Sequence, residues 1–161
     1  MSELAAKTPK ESCAEQVQIL TQSTMNGNNR LFGGKLMEWI DIVAAVTARR
    51  HANRNVTTAL VDTLEFRSPA KANDLIVLFG KIVYAGRTSM EICVKSYVER
   101  LSGKRELINS AYVVLVAIDE DGNPCPVPPL IPETSEECAQ YEAAKHRRET
   151  RKRKREAAQA E

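Results

Sequence analysis

No apolar run in this 161-residue chain approaches the roughly 18 residues that a helix needs to cross a bilayer. No helical membrane span is therefore predicted. The opening stretch, Met1 to Cys13, is polar and charged and lacks the apolar core of a signal segment, so a cytoplasmic protein is expected. Cysteine and histidine are scarce. The four cysteines, Cys13, Cys93, Cys125 and Cys138, form no Cys-x-x-Cys pair, and neither His51 nor His146 stands at ligand spacing from any of them. That argues against a zinc site, and no metal or cofactor is expected. Scattered thiols without a signal segment are expected to stay reduced, with Cys93 a small core hydrophobe. Internal repeats are absent too, which leaves a single domain with two extensions.

The net charge of +2 conceals an asymmetry. Lys145, Arg147, Arg148, Arg151, Lys152, Arg153, Lys154 and Arg155 set eight positive charges against Glu149, so this segment carries +7 and the remainder −5. A mildly acidic body thus ends in a strongly basic tail.

Residues 1–12 read as a poorly ordered, flexible N-terminus. Val17, Ile19 and Thr21, alternating with Gln16, Gln18 and Leu20, suggest a first strand, and Ser23 to Asn29 a polar loop. Gly33 to His51 reads as a helix of about five turns. Its apolar positions nearly encircle it, so burial is predicted. Four strand patterns follow: Asn55 to Phe66, Leu75 to Tyr84, Thr88 to Val98 and Leu107 to Ile118. The last is apolar on both faces, as a central strand should be. Pro124 to Pro132 holds five prolines and must be extended. Glu133 to about Arg155 is a charged helical pattern, acidic first and basic last, in favour of the helix dipole. The order predicts an α+β fold, an antiparallel sheet wrapped around one long buried helix with a C-terminal helical extension. The divisions are 1–12, 13–123 for the domain, and 124–161 for the proline-rich connector and basic helix. Sheet edges and an outer face in need of cover suggest self-association.

One acidic residue stands out within the long helix. Between Glu38 and Arg49 the only charge is Asp41. At helical spacing it shares a face with Met37, Ala44, Ala45 and Ala48, where partial desolvation of a carboxylate is expected and costly unless it is paired. Read locally, it is either a satisfied buried acid or a functional one.

Four ordered blocks carry a family resemblance. They are Asn26 through Leu31-Phe32-Gly33-Gly34 and Trp39-Ile40-Asp41 to Ala48-Arg49-Arg50-His51; Val56-Thr57-Thr58-Ala59-Leu60-Val61-Asp62 with Phe66 and Pro69; Gly86-Arg87-Thr88-Ser89-Met90-Glu91; and Val127-Pro128-Pro129-Leu130-Ile131-Pro132-Glu133-Thr134 with Tyr141 and Arg147-Arg148. Over about residues 16–155 the chain resembles the hotdog-fold acyl-CoA thioesterases. Asn29 and Asn73 stand where many members have glycine, and asparagine is the residue that best replaces glycine in left-handed backbone.

The resemblance implies hydrolysis of fatty acyl-CoA to free CoA and a carboxylic acid. Asp41 matches the catalytic acid, either a general base on water or a nucleophile. Gly33 and Gly34 open the helix whose free N–H groups would hold the oxyanion. Asp41 lies roughly 10 Å further along that helix, too far to serve one carbonyl from within one subunit. The family's shared sites resolve this, with Asn26 and the helix start supplied by a partner. A homodimer, and by resemblance a trimer of dimers or homohexamer, is implied. CoA would lie along Thr58, Ala59 and Leu60 and along Arg87, Thr88 and Ser89, with Arg87 and Arg148 on its phosphates. Asp62 and His51 read more simply as structural, His51 as a cap on helix carbonyls.

Two other readings compete. A non-catalytic acyl-CoA-binding or sensing protein would have no need of both Asn26 and Asp41. Nucleic-acid binding through Lys145 to Arg155 is a weaker candidate, because no aromatic residues interleave that run.

Overall fold

The computed structural model describes residues 3–160. Five strands form one antiparallel sheet: β1 (Ala14–Ile19), β2 (Asn55–Phe66), β3 (Leu75–Ala85), β4 (Ser89–Glu99) and β5 (Arg105–Ile118), in the spatial order β1-β3-β4-β5-β2. The long helix α1 (Gly33–Ala52) packs on one face of the sheet, and α2 (Ser135–Gln159) lies on the other. This is the α+β hotdog architecture the sequence predicts. β4 and β5 are interior strands and apolar on both faces, as strands covered on both sides must be.

Contact between helix and sheet is close at Gly80, where a Cβ would come within 2.7 Å of Val43 and 2.6 Å of the Thr47 hydroxyl. Only a residue without a side chain lets α1 settle there. The buried side of α1 presents Leu36, Trp39, Ile40, Val43, Ala44, Thr47, Ala48, His51 and Ala52. The opposite side exposes Met37, Glu38, Asp41 and Ile42. The helix is therefore half-covered, not encircled, and Asp41 is exposed in the single chain. The reason is topological: β2 is an edge strand, and no strand among the described residues pairs beyond it.

β1 also departs from expectation. It ends at Ile19, and Thr21 instead precedes a short 3-10 turn at Gln22–Thr24. Its register pairs Gln16 with Leu78 and Gln18 with Ile76 on the helix side, so Val17 and Ile19 point outward and remain exposed. The polar glutamines face in and the apolar residues face out.

The proline-rich connector closes the C-terminal end of α1. Val127 N–H donates to Arg87 O, and Lys7 and Leu130 form a parallel bridge. Lys7 Nζ donates to the carbonyls of Arg50 and His51, at 2.9 Å each. The segment read as a flexible N-terminus thus makes specific contacts with the body from Lys7 onward. His51 is fully buried, and its Nε2 donates to Pro128 O at 2.8 Å. Its role is to fasten the connector, while Lys7 does the carbonyl capping. Burial holds the imidazole pKa below its ordinary value, against the pull of the Pro128 carbonyl.

Three asparagines, Asn29, Asn53 and Asn73, occupy left-handed backbone at φ of 55°, 52° and 69°. Asn53 terminates α1. Asn29 and Asn73 adopt the conformation that their place among family glycines implies.

Part of the outer face is covered by the chain itself. α2 begins with a capping box, Thr134 with Glu137, and Glu137 also pairs with Lys81 at 2.6 Å. Further along, Ala144 packs with Val83 and Cys93, which places Cys93 beneath α2 and not in the core proper. Burial raises its thiol pKa. Beside it, Glu91, 1% exposed, receives Arg147 at 2.6 Å and Arg151 at 3.3 Å. Arg151 also bonds Asp62 of β2. Asp62 therefore serves the back of the sheet, as the structural reading has it, and Arg147 stacks over Tyr112 at 3.8 Å.

Candidate active site

Asp41 sits on the exposed flank of α1, two turns beyond its N-terminus. The Thr58 hydroxyl of β2 donates to Asp41 Oδ1 at 2.7 Å. Oδ2 has no hydrogen-bond partner among the described residues. Thr58, expected on the CoA path, thus first orients the acid. Immediately after it β2 bulges: Thr58 pairs with Leu115 and Leu60 with Val114, leaving Ala59 outside the ladder. A bulge of this kind bends the strand and frees backbone groups for another partner.

Beside Asp41 a slot of about 160 Å³ opens between α1 and the sheet. Met37, Ile40, Asp41, Val61, Leu64 and Val113 line it. Asp41 is the only ionisable group in this lining.

The helix start lies elsewhere. The first turn bonds begin with Lys35 and Leu36, whose N–H groups both donate to Phe32 O, so those of Gly33 and Gly34 precede the ladder and are the orphan donors of the helix. A Cβ on Gly34 would come within 2.6 Å of the Phe32 ring, and one on Gly33 would meet Phe66 at 3.6 Å. Both rings are exposed. Neither phenylalanine has a part in the site on the sequence alone, and only Phe32, next to Gly33-Gly34, carries a local signal.

Asn26 opens onto a separate cavity of about 290 Å³, with Arg30, Leu31, Leu36 and Phe66 among its walls. Its Oδ1 accepts from the N–H groups of Asn28 at 2.8 Å and Arg30 at 3.2 Å. The oxygen therefore shapes the loop and the amide NH2 is the free end. Within one chain, Asn26 and Asp41 line different cavities.

The CoA candidates share one end of the sheet. Thr57 and Ser89 both align with Val116, which puts the two segments about 10 Å apart across β5. Arg87 is exposed at the β3–β4 turn. Arg148 reaches this turn from α2: a Cβ on Gly86 would lie 3.6 Å from Arg148 Nε and 3.3 Å from Ser89 Oγ. Arg148 also lies over the Tyr84 ring, at 5.9 Å. The structure thus unites Arg148 with Arg87, Thr88 and Ser89. Arg147, its neighbour, turns to Glu91 instead. No helix among the described residues is long and apolar enough to cross a membrane.

Residues 28–101 match the thioesterase superfamily. An uncharacterized acyl-CoA thioester hydrolase of Bacillus subtilis is 36% identical over 160 residues, covering 96% of this chain and 93% of that one. An acyl-CoA hydrolase of Staphylococcus aureus, solved in complex with butyryl coenzyme A, coenzyme A and coenzyme A disulfide, superposes with a TM-score of 0.90 at 33% identity, over 96% of this chain and 95% of that one. It has also been solved with an aspartate, an asparagine or a threonine replaced by alanine, at TM-scores of 0.90, 0.92 and 0.90. A hexameric acyl-CoA thioesterase without ligand superposes with a TM-score of 0.90 at 38% identity, over 94% of this chain and 97% of that one.

Proposed function

This chain belongs to the thioesterase superfamily and, within it, to the acyl-CoA thioester hydrolases, and we propose that it hydrolyses acyl-CoA at a site shared between two subunits, with Asp41 as its catalytic acid. The observation that carries this reading is the Thr58–Asp41 hydrogen bond at the mouth of an apolar slot. It leaves one carboxylate oxygen free beside a place where an acyl chain fits.

In the proposed reaction, the thioester carbonyl lies against Asp41 of one subunit. Its oxygen points to the Gly33 and Gly34 N–H groups of the other, where the helix dipole favours developing negative charge. The Asn26 amide of that second subunit donates to the carbonyl or to the attacking water. Asp41 either takes a proton from water or attacks the carbonyl to give a mixed anhydride. On the first route the proton that Asp41 takes from water passes to the departing sulfur, so CoA leaves as the thiol. On the second, CoA leaves as the thiolate and takes its proton from solvent, and water then cleaves the anhydride to the carboxylic acid and restores the Asp41 carboxylate. The pantetheine runs past the Ala59 bulge, and Arg87 and Arg148 meet the phosphates. These steps call only on protein groups and water.

Two observations support the shared arrangement. Asn26 faces one cavity, with Leu36 of the first turns of α1 in its wall, while Asp41 faces another. The three positions substituted in the Staphylococcus aureus hydrolase are spaced 15 and 17 residues apart, as Asn26, Asp41 and Thr58 are here. A similar acyl-CoA thioesterase is hexameric, and we propose a trimer of dimers for this chain.

The test is thiol release from a panel of acyl-CoAs by wild type and Asp41→Ala. Turnover by the wild type and its loss in the variant are expected. CoA binding without turnover on any chain length would instead establish the binding-protein reading.

A further inference from the structure

We infer that the slot beside Asp41 is the acyl pocket of this enzyme and that it selects short chains, of about four to six carbons. The inference rests on Asp41 being the catalytic acid. It follows from the slot's position, lining and size.

The slot begins at the carboxylate, so a thioester carbonyl held there directs its acyl chain inward. The inner walls are hydrocarbon: Met37 and Ile40 from α1, Val61 and Leu64 from β2, Val113 from β5. Strand register explains how they converge. Val61 aligns with Val113 and Leu64 with Ala111, putting all of them on the helix side of the sheet. Two register shifts in β2, between Thr58 and Leu60 and between Val61 and Thr63, bend this edge strand beside α1. Ile40 and Val113, at 2% and 0% exposure, close the inner end.

Size then sets the limit. A closed apolar cavity of about 150 Å³ accommodates a six-carbon ring. The slot measures about 160 Å³, enough for a butanoyl or hexanoyl chain. A longer chain would have to turn outward past Met37 or Val61, both of which are exposed. Leu64 is half-buried on the wall, deep enough to shape the slot yet outside the fully buried core.

The experiment uses the purified full chain in its native assembly. Specificity constants are measured by thiol release for straight-chain acyl-CoAs from acetyl to palmitoyl. Maximal kcat/KM is expected at butanoyl- to hexanoyl-CoA, with a fall of about tenfold or more by decanoyl-CoA. Leu64→Ala should move the maximum to longer chains. Leu64→Phe should depress hexanoyl-CoA about tenfold relative to acetyl-CoA. Val61→Phe, at an exposed position, repeats that test if the Leu64 variants do not fold. A wild-type preference for dodecanoyl or longer chains overturns the inference. So does a set of variants that scales every substrate alike, as it would if an apolar side chain of a second copy fills the slot. Asp41→Asn, assayed in parallel, separates the two failures. If it is inactive while the profile ignores Leu64, only the pocket falls; if it turns over like wild type, the catalytic reading falls as well.

Discussion

Thr58 Oγ1 donates to Asp41 Oδ1 across 2.7 Å, tying the middle of α1 to the edge strand β2. The bond holds the carboxylate and leaves Oδ2 without a hydrogen-bond partner among the described residues. Thr58→Val should lower kcat about tenfold, within the range that one misplaced catalytic hydrogen bond costs. Thr58→Ser, which keeps the hydroxyl, should stay near wild type. Steady-state kinetics on a single acyl-CoA decides this, and equal loss in both variants would show that the hydroxyl is not what matters.

Subunit sharing is testable by complementation. Asn26→Asp keeps the oxygen that accepts from Asn28 and Arg30 and loses the amide donor. It should fold normally and be nearly inactive, as should Asp41→Ala. Refolded together in equal amounts, the two inactive variants should recover about a quarter of wild-type activity, because random dimers restore one intact site in four. No recovery in verified mixed assemblies would place both groups in one subunit.

Arg148 touches the β3–β4 turn and not the acid. Arg148→Ala should therefore raise KM about tenfold and leave kcat within twofold, the pattern of lost ground-state binding. A fall in kcat at constant KM would contradict its assignment to the CoA phosphates.

His51 supplies a pH signature in stability. Its folded pKa lies below the ordinary value of 6.5 because it is buried. At pH well above 6.5 the ring is neutral in both states and costs nothing. Below 6.5 the unfolded chain binds a proton that the folded one resists, so stability declines as the solution is acidified. Thermal melts between pH 7.5 and 5.5 should show this decline. It should be smaller in His51→Gln, whose amide can still donate to Pro128 O.

Glu91 is enclosed by two arginines of α2. Glu91→Ala leaves those guanidinium groups close together without their shared carboxylate, and should cost about 2–3 kcal/mol. Denaturant melts would measure it. Limited trypsin digestion should also cut α2 faster in the variant, and an unchanged digestion rate would mean that α2 is held by other contacts.

Much of this was legible from residue order. The boundaries of α1 and β2 follow from periodicity and from the Gly-Gly and Ser-Pro punctuation around them. Asp41 was detectable as the one charge between Glu38 and Arg49, although its exposure was not. Periodicity reports which residues share a helix face, and says nothing about whether the chain supplies a layer to cover it. The facing of β1 was not legible for a related reason: alternation marks a strand but leaves open which of its two faces is buried. The Arg151 link to Glu91 and Asp62 was hidden because its ends lie 60 and 89 residues apart. A charged helix offers no local clue about which of its cations are paired.

That three-strand clamp also bears on the order of assembly. Arg151 finds its partners only where β4 and β2 already flank β5. Pulse-labelled exchange during refolding should accordingly find amide protection in α2 no earlier than in β4 and β5. A helix synthesised after all five strands is then also docked after them, and its seating acts as a checkpoint that only a completed sheet can pass.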